Sequence, residues 1–294
     1  MKIGIIDIEP KVVNTAYMQI SDYYKYIGYN VEWWAPLTDS LFDKVYCSSL
    51  FDFTDKSEVP KRALRGGTGY DVSTKLPDAI TACEYDYSIY PECDYSVVWF
   101  SRGCIRNCPF CVVPKKEGKI YSAKPKTLNP RGKYLMVFDN NFFANPQWKE
   151  AIPFIESAGQ KIIIQQGIDV RLVDEYQIDF LRQYHIMRAN KVQIKIAWDD
   201  PRMDIVPYIK TMLKKIAPHH IECYVLIGYW SSPEEDMHRI KALSELNINP
   251  YVMPFDKTDQ YQKAFARWVN GRIIKSCPWQ EYKYNPANKG SEAE

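Results

Sequence analysis

A regular alternation of apolar strands and amphipathic helical segments constrains the fold of this chain more than any other feature. From residue 134 onward, apolar runs typical of strands begin roughly every 30 residues, and helical patterns lie between them. Strand–helix units repeated at this interval connect parallel strands through right-handed crossovers. With one further strand at 95–100, the pattern predicts an α/β fold with a partial (β/α)6 barrel of the TIM type.

Capping residues help to place these elements. Asp174 precedes one predicted helix, and a capping box from Ser232 to Glu235 opens the last of them. The predicted strands are 95–100, 134–139, 161–165, 191–197, 221–227 and 250–255, and the predicted helices are 146–158, 174–185, 202–216 and 233–246.

The segments before and after these strand–helix repeats complete the predicted domain organisation. In residues 1–55, a strand, a helix that begins after Asn14 and two further short strands predict a small Rossmann-like α/β unit. Residues 56–94 are rich in Gly, Pro, Tyr and Asp, and they are predicted to be a connecting segment in which RGGTG forms a flexible turn. The barrel is predicted to occupy residues 95–256. Residues 257–294 are predicted to form a helix around FARWVN and a disordered tail.

The net charge and the apolar segments of the chain indicate which binding partners and which compartment to expect. The 294 residues carry a net charge of only +2, so composition gives no electrostatic reason to expect binding to nucleic acid or to an anionic membrane. No apolar run reaches the roughly 18 residues of a membrane span, and the opening residues, MKIGIIDIEP, predict a strand rather than a signal peptide. We therefore expect a cytoplasmic protein with no membrane partner, whose cysteines stay reduced.

Three of the eight cysteines lie in one short loop directly after the first predicted barrel strand. Cys104, Cys108 and Cys111 are separated by three and two residues. In a reducing compartment, clustered cysteines favour metal binding or catalysis over disulfides. A structural zinc site needs four ligands, usually in two pairs, and no histidine is close to this loop in sequence. Three thiolates on a [4Fe–4S] cluster leave one iron open to another ligand, so the pattern favours iron–sulfur, with zinc and chance clustering as the alternatives.

Polar residues follow each of the other predicted barrel strands. In barrels of this kind, the loops at the carboxyl ends of the strands carry the chemistry. The cysteine loop and these polar loops are therefore predicted to share one functional rim. The polar loops are DNNF (139–142), QGIDVR (166–171), WDD (198–200), GYW (228–230) and FDK (255–257).

The C-x3-C-x2-C motif, with an aromatic residue before its last cysteine, resembles the radical S-adenosylmethionine (SAM) superfamily over residues 95–255. A narrower resemblance, to small radical SAM proteins of phages and gut bacteria with a degenerate cobalamin-binding-like N-terminal domain, is carried by GGTGYD, KKEG, QGIDVRL and PYVMPFD. The resemblance implies that Cys104, Cys108 and Cys111 bind three irons of a [4Fe–4S] cluster, whose fourth iron chelates SAM. It also implies a one-electron reductant of the flavodoxin or ferredoxin type, reductive cleavage of SAM to a 5′-deoxyadenosyl radical, and abstraction of hydrogen from a substrate.

The resemblance extends to candidate SAM-binding residues in two loops. Phe110, between two of the cysteines, resembles the aromatic residue that lies along the adenine, and a turn residue that packs inward is the alternative. Asp139, Asn140 and Asn141 stand where the family's glycine-rich motif for the SAM amino group follows the second strand, although the Gly-Gly-Glu of that motif is missing. For this loop the alternative is a set of capping Asx residues.

Two further candidate SAM-binding residues follow the third and fifth predicted barrel strands. Arg171, after the third predicted strand, would pair with the SAM carboxylate through its planar guanidinium, or form a salt bridge with a neighbouring helix. Gly228, after the fifth, resembles the family's glycine near the adenine, or it only ends a strand.

The substrate and the reaction subclass stay open at the level of sequence. The loop after the first strand, DIEPKVVN, has no histidine to bind cobalamin, and no cysteine precedes Cys47, so a second cluster of the methylthiotransferase type is incomplete. A methylthiotransferase-like or other tRNA- or nucleotide-modifying enzyme is the first alternative, and a peptide or metabolite substrate is also compatible. The alternative from another class is a non-catalytic, zinc-stapled binding protein.

Overall fold

The computed structural model of the chain describes residues 1–187 and 193–284. The chain falls into two compact units, Met1–Ile163 and Ile164–Glu294. Both units contain parallel β-sheet, so the α/β class is confirmed, whereas closure of the strands into a barrel stays a prediction. Among the described residues, no helix is both long enough and apolar enough to cross a membrane.

A four-stranded parallel sheet forms the amino-terminal part of the first unit. Its strands are β1 (Lys2–Ile6), β2 (Asn30–Trp33), β3 (Lys44–Ser48) and β4 (Leu64–Gly66), in the order β2-β1-β3-β4. The first three agree with the strands predicted for the Rossmann-like unit. The two central strands, β1 and β3, are buried along almost their whole length, as expected of parallel strands covered on both faces.

Helix α1 (Thr15–Tyr26) packs on this sheet through an apolar cluster that it shares with β1 and β3. The Asn14 side chain accepts a hydrogen bond at 3.0 Å from a backbone N–H of the first turn, which confirms the predicted cap. The Tyr17 hydroxyl donates to the Ile6 carbonyl oxygen at 2.6 Å and accepts from the Ser48 N–H at 2.7 Å. These bonds tie the start of the helix to the carboxyl ends of β1 and β3.

The segment between residues 56 and 94 is more ordered than predicted. It contains β4 and helix α2 (Asp78–Thr81), and the RGGTG sequence packs closely against the chain that follows β3. A Cβ at Gly67, whose φ is +87°, would lie 2.3 Å from the Ser49 carbonyl oxygen, so only glycine fits there. A turn begins within RGGTG at residue 68, as predicted, whereas β4 was not predicted because a three-residue strand leaves no periodic signal in a sequence.

The remainder of the first unit carries the cysteine loop. Its strands are β5 (Ser96–Val98), β6 (Ser101–Arg102), β7 (Tyr121–Ser122), β8 (Leu135–Val137) and β9 (Ile162–Ile164), and its helices are α3 (Val113–Lys116) and α4 (Ala151–Ala158). The last residue of β9, Ile164, is the first residue of the second unit. Strands β5 and β8 pair in parallel, and β6 and β7 form a short antiparallel hairpin. Because β5 and β8 are parallel neighbours, the loops that leave their carboxyl ends start at the same edge of the sheet.

The second unit contains the later strand–helix repeats. Its strands are β10 (Ile194–Ala197), β11 (Ile221–Ile227) and β12 (Asn249–Pro254), and its helices are α5 (Glu175–Tyr184), α6 (Val206–Leu213), α7 (Pro233–Glu245) and α8 (Gln260–Asn270). The three strands pair in parallel in this order. The predicted cap at Asp174 and the capping box of Ser232 and Glu235 are confirmed. The predicted start of a strand at 191–192 and the predicted disordered tail beyond residue 284 lie outside the described residues.

His185, which follows α5, is buried and neutral. Its Nε2 accepts a hydrogen bond from the Ile164 N–H at 3.2 Å, so its Nδ1 carries the proton and donates to the Ile186 carbonyl oxygen at 2.8 Å. Burial lowers the pKa of His185 from 6.5 to about 4. The ring is therefore a packing and hydrogen-bonding element of the second unit.

This burial predicts a specific pH dependence of stability. The stabilisation from the neutral ring is complete above the unfolded-state pKa and is lost as pH falls toward the folded-state pKa, by up to about 3 kcal/mol. The His185→Gln variant lacks this component, so its deficit in unfolding free energy relative to wild type should shrink by about 2 kcal/mol between pH 7 and pH 5. His238→Gln, at an exposed position, is the matched control and should follow the wild-type pH dependence. A His185→Gln deficit that is the same at both pH values would contradict this prediction.

Candidate metal and cofactor site

The cysteine loop is closed at its base by the β6–β7 hairpin and by a glycine. Gly103 directly follows β6 with a φ of +75°, and a Cβ there would lie 2.4 Å from the Lys119 carbonyl oxygen. The next residue, Cys104, donates its N–H to the Gly118 carbonyl oxygen at 3.3 Å. Only glycine allows the two arms of the loop to approach this closely. All three cysteines therefore lie in one loop with a tightly closed base.

The three thiols are partly exposed in this loop. The Arg106 N–H donates to the Cys104 sulfur at 3.4 Å, and the Val113 N–H donates to the Cys111 sulfur at 3.5 Å. Backbone N–H groups directed at cysteine sulfurs stabilise the thiolate form and tune the potential of iron–sulfur clusters. The loop backbone thus directs N–H donors at two of the three sulfurs.

The chemistry of these donors fits an iron–sulfur cluster. Three soft thiolates favour iron–sulfur or zinc over hard cations such as magnesium. Within the part of the chain that the structure describes, no group of three or more Cys, His, Asp or Glu side chains is arranged closely enough to hold a metal ion. The chain forms neither strand nor helix between Gly103 and Val113, a stretch that is described throughout. Binding of a metal cluster by all three thiols would therefore require a rearrangement within this irregular segment.

Phe110 lies in the turn that separates two of the cysteines. The Cys111 N–H closes this turn by donating to the Cys108 carbonyl oxygen at 3.0 Å. The ring is half-buried, and the apolar side chains of Ile105 and Val112 in the same loop are exposed. The structure thus places Phe110 beside the cysteines, with part of its ring accessible to a ligand.

Glu117 joins the cysteine loop to the loop that follows β8. Its carboxylate accepts from the Arg102 guanidinium at 2.6 Å and from the Gly103 N–H at 2.8 Å. It also accepts from the Asn140 side-chain amide at 2.8 Å. The Arg102 guanidinium lies over the Trp99 ring, 3.8 Å from its centroid, which holds it in place. Sequence reasoning missed Glu117, because a single acidic residue in a basic segment carries no signal for this role.

Asp139 is fully buried and holds the chain that leaves β5. Its carboxylate accepts from the Phe100 N–H at 2.9 Å and from the Ser101 hydroxyl at 2.5 Å. Burial raises the pKa of Asp139 to about 6, although both hydrogen bonds favour the charged form. Because both oxygens are engaged by these donors, the structure gives Asp139 a positioning role at the junction of the two loops.

The side-chain oxygen of Asn141 is buried and accepts no hydrogen bond within the described residues. The residue is only 4% exposed, and its Oδ1 has no hydrogen-bond donor among the described residues. A buried polar atom left in this state costs about 1–3 kcal/mol and points to a water or ligand that completes the site. Of the three residues predicted to bind the SAM amino group, Asn141 is therefore the best suited to accept a donor from a ligand.

Arg171 and Gly228 belong to the second unit, where each has a local structural role. The Arg171 guanidinium binds the Asp169 carboxylate through two bonds, of 2.7 and 3.0 Å, so this arginine forms a salt bridge within its own loop. Gly228 directly follows β11 with a φ of +78°, and a Cβ there would lie 2.1 Å from the Gln262 amide nitrogen. Gln262 is itself held by the Asp256 N–H, which donates to its Oε1 at 2.9 Å. Packing inside this unit thus requires glycine at position 228.

A buried charged cluster in the second unit was also missed by sequence reasoning. Arg239 and Asp236 on α7 form an ion pair of 2.6 Å, and Arg239 also donates to the Trp198 carbonyl oxygen at 2.7 Å. The Tyr261 hydroxyl donates to the second oxygen of Asp236 at 3.0 Å. Burial raises the pKa of Asp199 to about 6, against the attraction of Arg239. The i,i+3 spacing on α7 and the WDD loop are the signals that could have located this cluster.

Comparison with known proteins assigns no family to this chain. No protein-family model matches its sequence, and no curated protein matches it.

Proposed function

We propose that this protein is a radical SAM enzyme in which Cys104, Cys108 and Cys111 hold three irons of a [4Fe–4S] cluster, and that its strand–helix repeats build the partial barrel of that superfamily. The observation that carries the proposal is the C-x3-C-x2-C motif in one loop with a closed base, directly after β6. When bound, the cluster supplies one electron to the SAM sulfonium, so that the resulting 5′-deoxyadenosyl radical abstracts hydrogen from a substrate.

The loop that follows β8 supports this proposal through its contacts. Glu117 links Asn140 to the base of the cysteine loop, and Asp139 fixes the chain that leads from β5 into that loop. The adjacent Asn141 offers a buried oxygen that would accept a hydrogen bond from the SAM ammonium group. Phe110 would cover the adenine from within the cysteine loop. These side chains bind and orient, and their partial or complete burial excludes water from a reactive site.

The proposed reaction also defines a partner and a compartment. A one-electron donor of the flavodoxin or ferredoxin type would reduce the cluster, and the partly exposed cysteine loop leaves a route for electron transfer. A reducing cytoplasm would keep the three thiols available as ligands.

Metal analysis and product analysis test the proposal together. Protein purified without oxygen should contain iron and acid-labile sulfide. After reduction in the presence of SAM, it should form methionine and 5′-deoxyadenosine. One zinc per chain with no iron would instead support the zinc-stapled binding protein. Material that remains free of iron after reconstitution would reject the enzyme.

A further inference from the structure

A cavity of about 800 Å³ lies in the first unit, at the carboxyl ends of β3 and β4. Its wall begins at the amino end of α1 and continues through the ends of these strands, residues 72–81 and the β6–β7 hairpin. Cavities of about 300–1,000 Å³ are typical of small-molecule sites. Open parallel sheets also bind their ligands at the carboxyl ends of their strands. Size and position therefore both indicate a ligand site.

The lining of this cavity is much more basic than the chain as a whole. It contains six basic and two acidic side chains, whereas the net charge of all 294 residues is +2. Three of the basic residues come from one basic segment, 115–126, and the fold brings the other three to it from separate parts of the chain. The six basic residues are Arg65, Lys75, Arg102, Lys116, Lys124 and Lys126, and the acidic residues are Asp78 and Glu117. A concave surface of this charge attracts anions.

The acidic side chains leave most of this positive charge uncompensated. Glu117 is engaged by Arg102 at 2.6 Å, and the other carboxylate is exposed to solvent. Among the described residues, no carboxylate lies within ion-pair distance of Lys75, Lys116 or Lys124. Burial lowers the pKa of Lys116, whose nearest polar partner is the Thr68 hydroxyl at 3.4 Å. An anionic ligand would offset both the repulsion between these groups and the cost of burying Lys116.

Aromatic side chains in the same wall offer a second kind of contact. Tyr121 in β7 is 54% exposed and lies three residues before Lys124. The Trp99 ring, already covered on one face by the Arg102 guanidinium, also lines the cavity. Basic grooves with aromatic platforms bind nucleotides, because the cations neutralise phosphate while the rings stack on bases.

We propose that this cavity binds a phosphate-bearing nucleoside, either free or within a nucleic acid strand. Lys75, Lys116 and Lys124 neutralise the phosphate, and Tyr121 presents a face to the base. If the proposed function is correct, this ligand is the substrate of the enzyme. Binding of the ligand in the cavity does not depend on the proposed function.

Calorimetric binding to the intact chain tests the ligand class. The probes are the four nucleoside 5′-monophosphates, the matched nucleosides, inorganic phosphate and an RNA of about ten nucleotides. At least one monophosphate should bind about tenfold more tightly than its nucleoside, with an affinity that falls as salt rises. Tighter binding of RNA with a steeper salt dependence would identify a strand as the source, and tighter binding of the monophosphate would identify the free nucleotide. Equal affinity for nucleoside and monophosphate, or no binding of any probe, overturns the proposal.

Charge-removing variants test the location of the site. Lys75→Gln and Lys124→Gln should each weaken monophosphate binding by about two- to fivefold, and the double variant by about tenfold. Lys44→Gln is the matched control, because Lys44 is exposed at the amino end of β3, opposite the strand end that lines the cavity. It should bind as wild type does. An effect of Lys44→Gln as large as that of the lining variants overturns the proposal.

Failure of this proposal and failure of the proposed function give different results. Iron content and SAM cleavage are measured on the same preparation that is used for binding. Phosphate-dependent binding without iron or SAM cleavage would leave the cavity assignment standing and reject the radical SAM enzyme. SAM cleavage without any nucleotide binding would reject the cavity assignment alone.

Discussion

Replacement of Cys108 with alanine is expected to abolish iron binding and SAM cleavage together. Under the proposed function, each of the three cysteines holds one iron, so the variant would keep only two thiolates in the loop. Two protein ligands do not retain a [4Fe–4S] cluster stably, and iron and sulfide should fall below about a tenth of the wild-type content. Anaerobic purification, metal analysis and detection of methionine and 5′-deoxyadenosine measure both losses.

A cysteine outside the motif provides the matched control for this experiment. Cys83 is partly exposed in the same unit, and its thiol donates to the Ala79 carbonyl oxygen at 3.2 Å. The Cys83→Ala variant should therefore keep wild-type iron and products. Persistence of the cluster and of SAM cleavage in Cys108→Ala would show that this cysteine is not a ligand, and the assignment of the motif would be wrong.

Replacement of Arg239 with methionine is expected to destabilise the second unit strongly. Arg239 and Asp236 are 1% and 0% exposed, and the pair is joined at 2.6 Å. Methionine preserves much of the apolar volume but leaves the Asp236 carboxylate buried without its cation. Among the described residues, the Tyr261 hydroxyl is then its remaining side-chain partner. Removal of one partner from a buried ion pair costs about 3–5 kcal/mol. Denaturant unfolding should show this loss as a large decrease in midpoint.

Two further variants separate the buried charge from side-chain loss in general. Arg202→Met removes an exposed arginine that is paired with Asp200 at 2.7 Å, and it should change the unfolding midpoint only slightly. The double variant Arg239→Met/Asp236→Leu removes both buried charges and should regain much of the lost stability. If Arg239→Met were no more destabilised than Arg202→Met, the buried pair would not have the energetic role assigned here.

Much of the secondary structure could be predicted because its signals are local. The Asn14 cap and the Ser232–Glu235 capping box depend on residues within three positions of each other, and both are present. Strands β3 and β11 occur at the predicted bounds. Strand β4 was missed because its three residues become a strand only by pairing with β3, which no local pattern encodes.

In the candidate site, too, features that depend on neighbouring residues could be predicted, and contacts between distant residues could not. Spacing along the chain alone puts three thiols into one loop, because eight consecutive positions cannot be far apart. The contacts around that loop were beyond prediction, since they join distant positions: Asp139 to Phe100, and Glu117 to Asn140. Likewise, Arg171 carries the right chemistry for a carboxylate ligand, but the nearby Asp169 binds its guanidinium.

By itself, the sequence determined the α/β class, most helices and strands, the caps and the cysteine motif, since each depends on neighbours along the chain. Tertiary structure alone decided that Asp139 is buried, that Glu117 joins two loops and that six basic side chains face one cavity. The net charge of +2 gives no sign of that basic cavity, because a sum over all residues contains no information on where the charges lie. Electrostatic attraction depends on distances in space, and only the folded chain sets those distances.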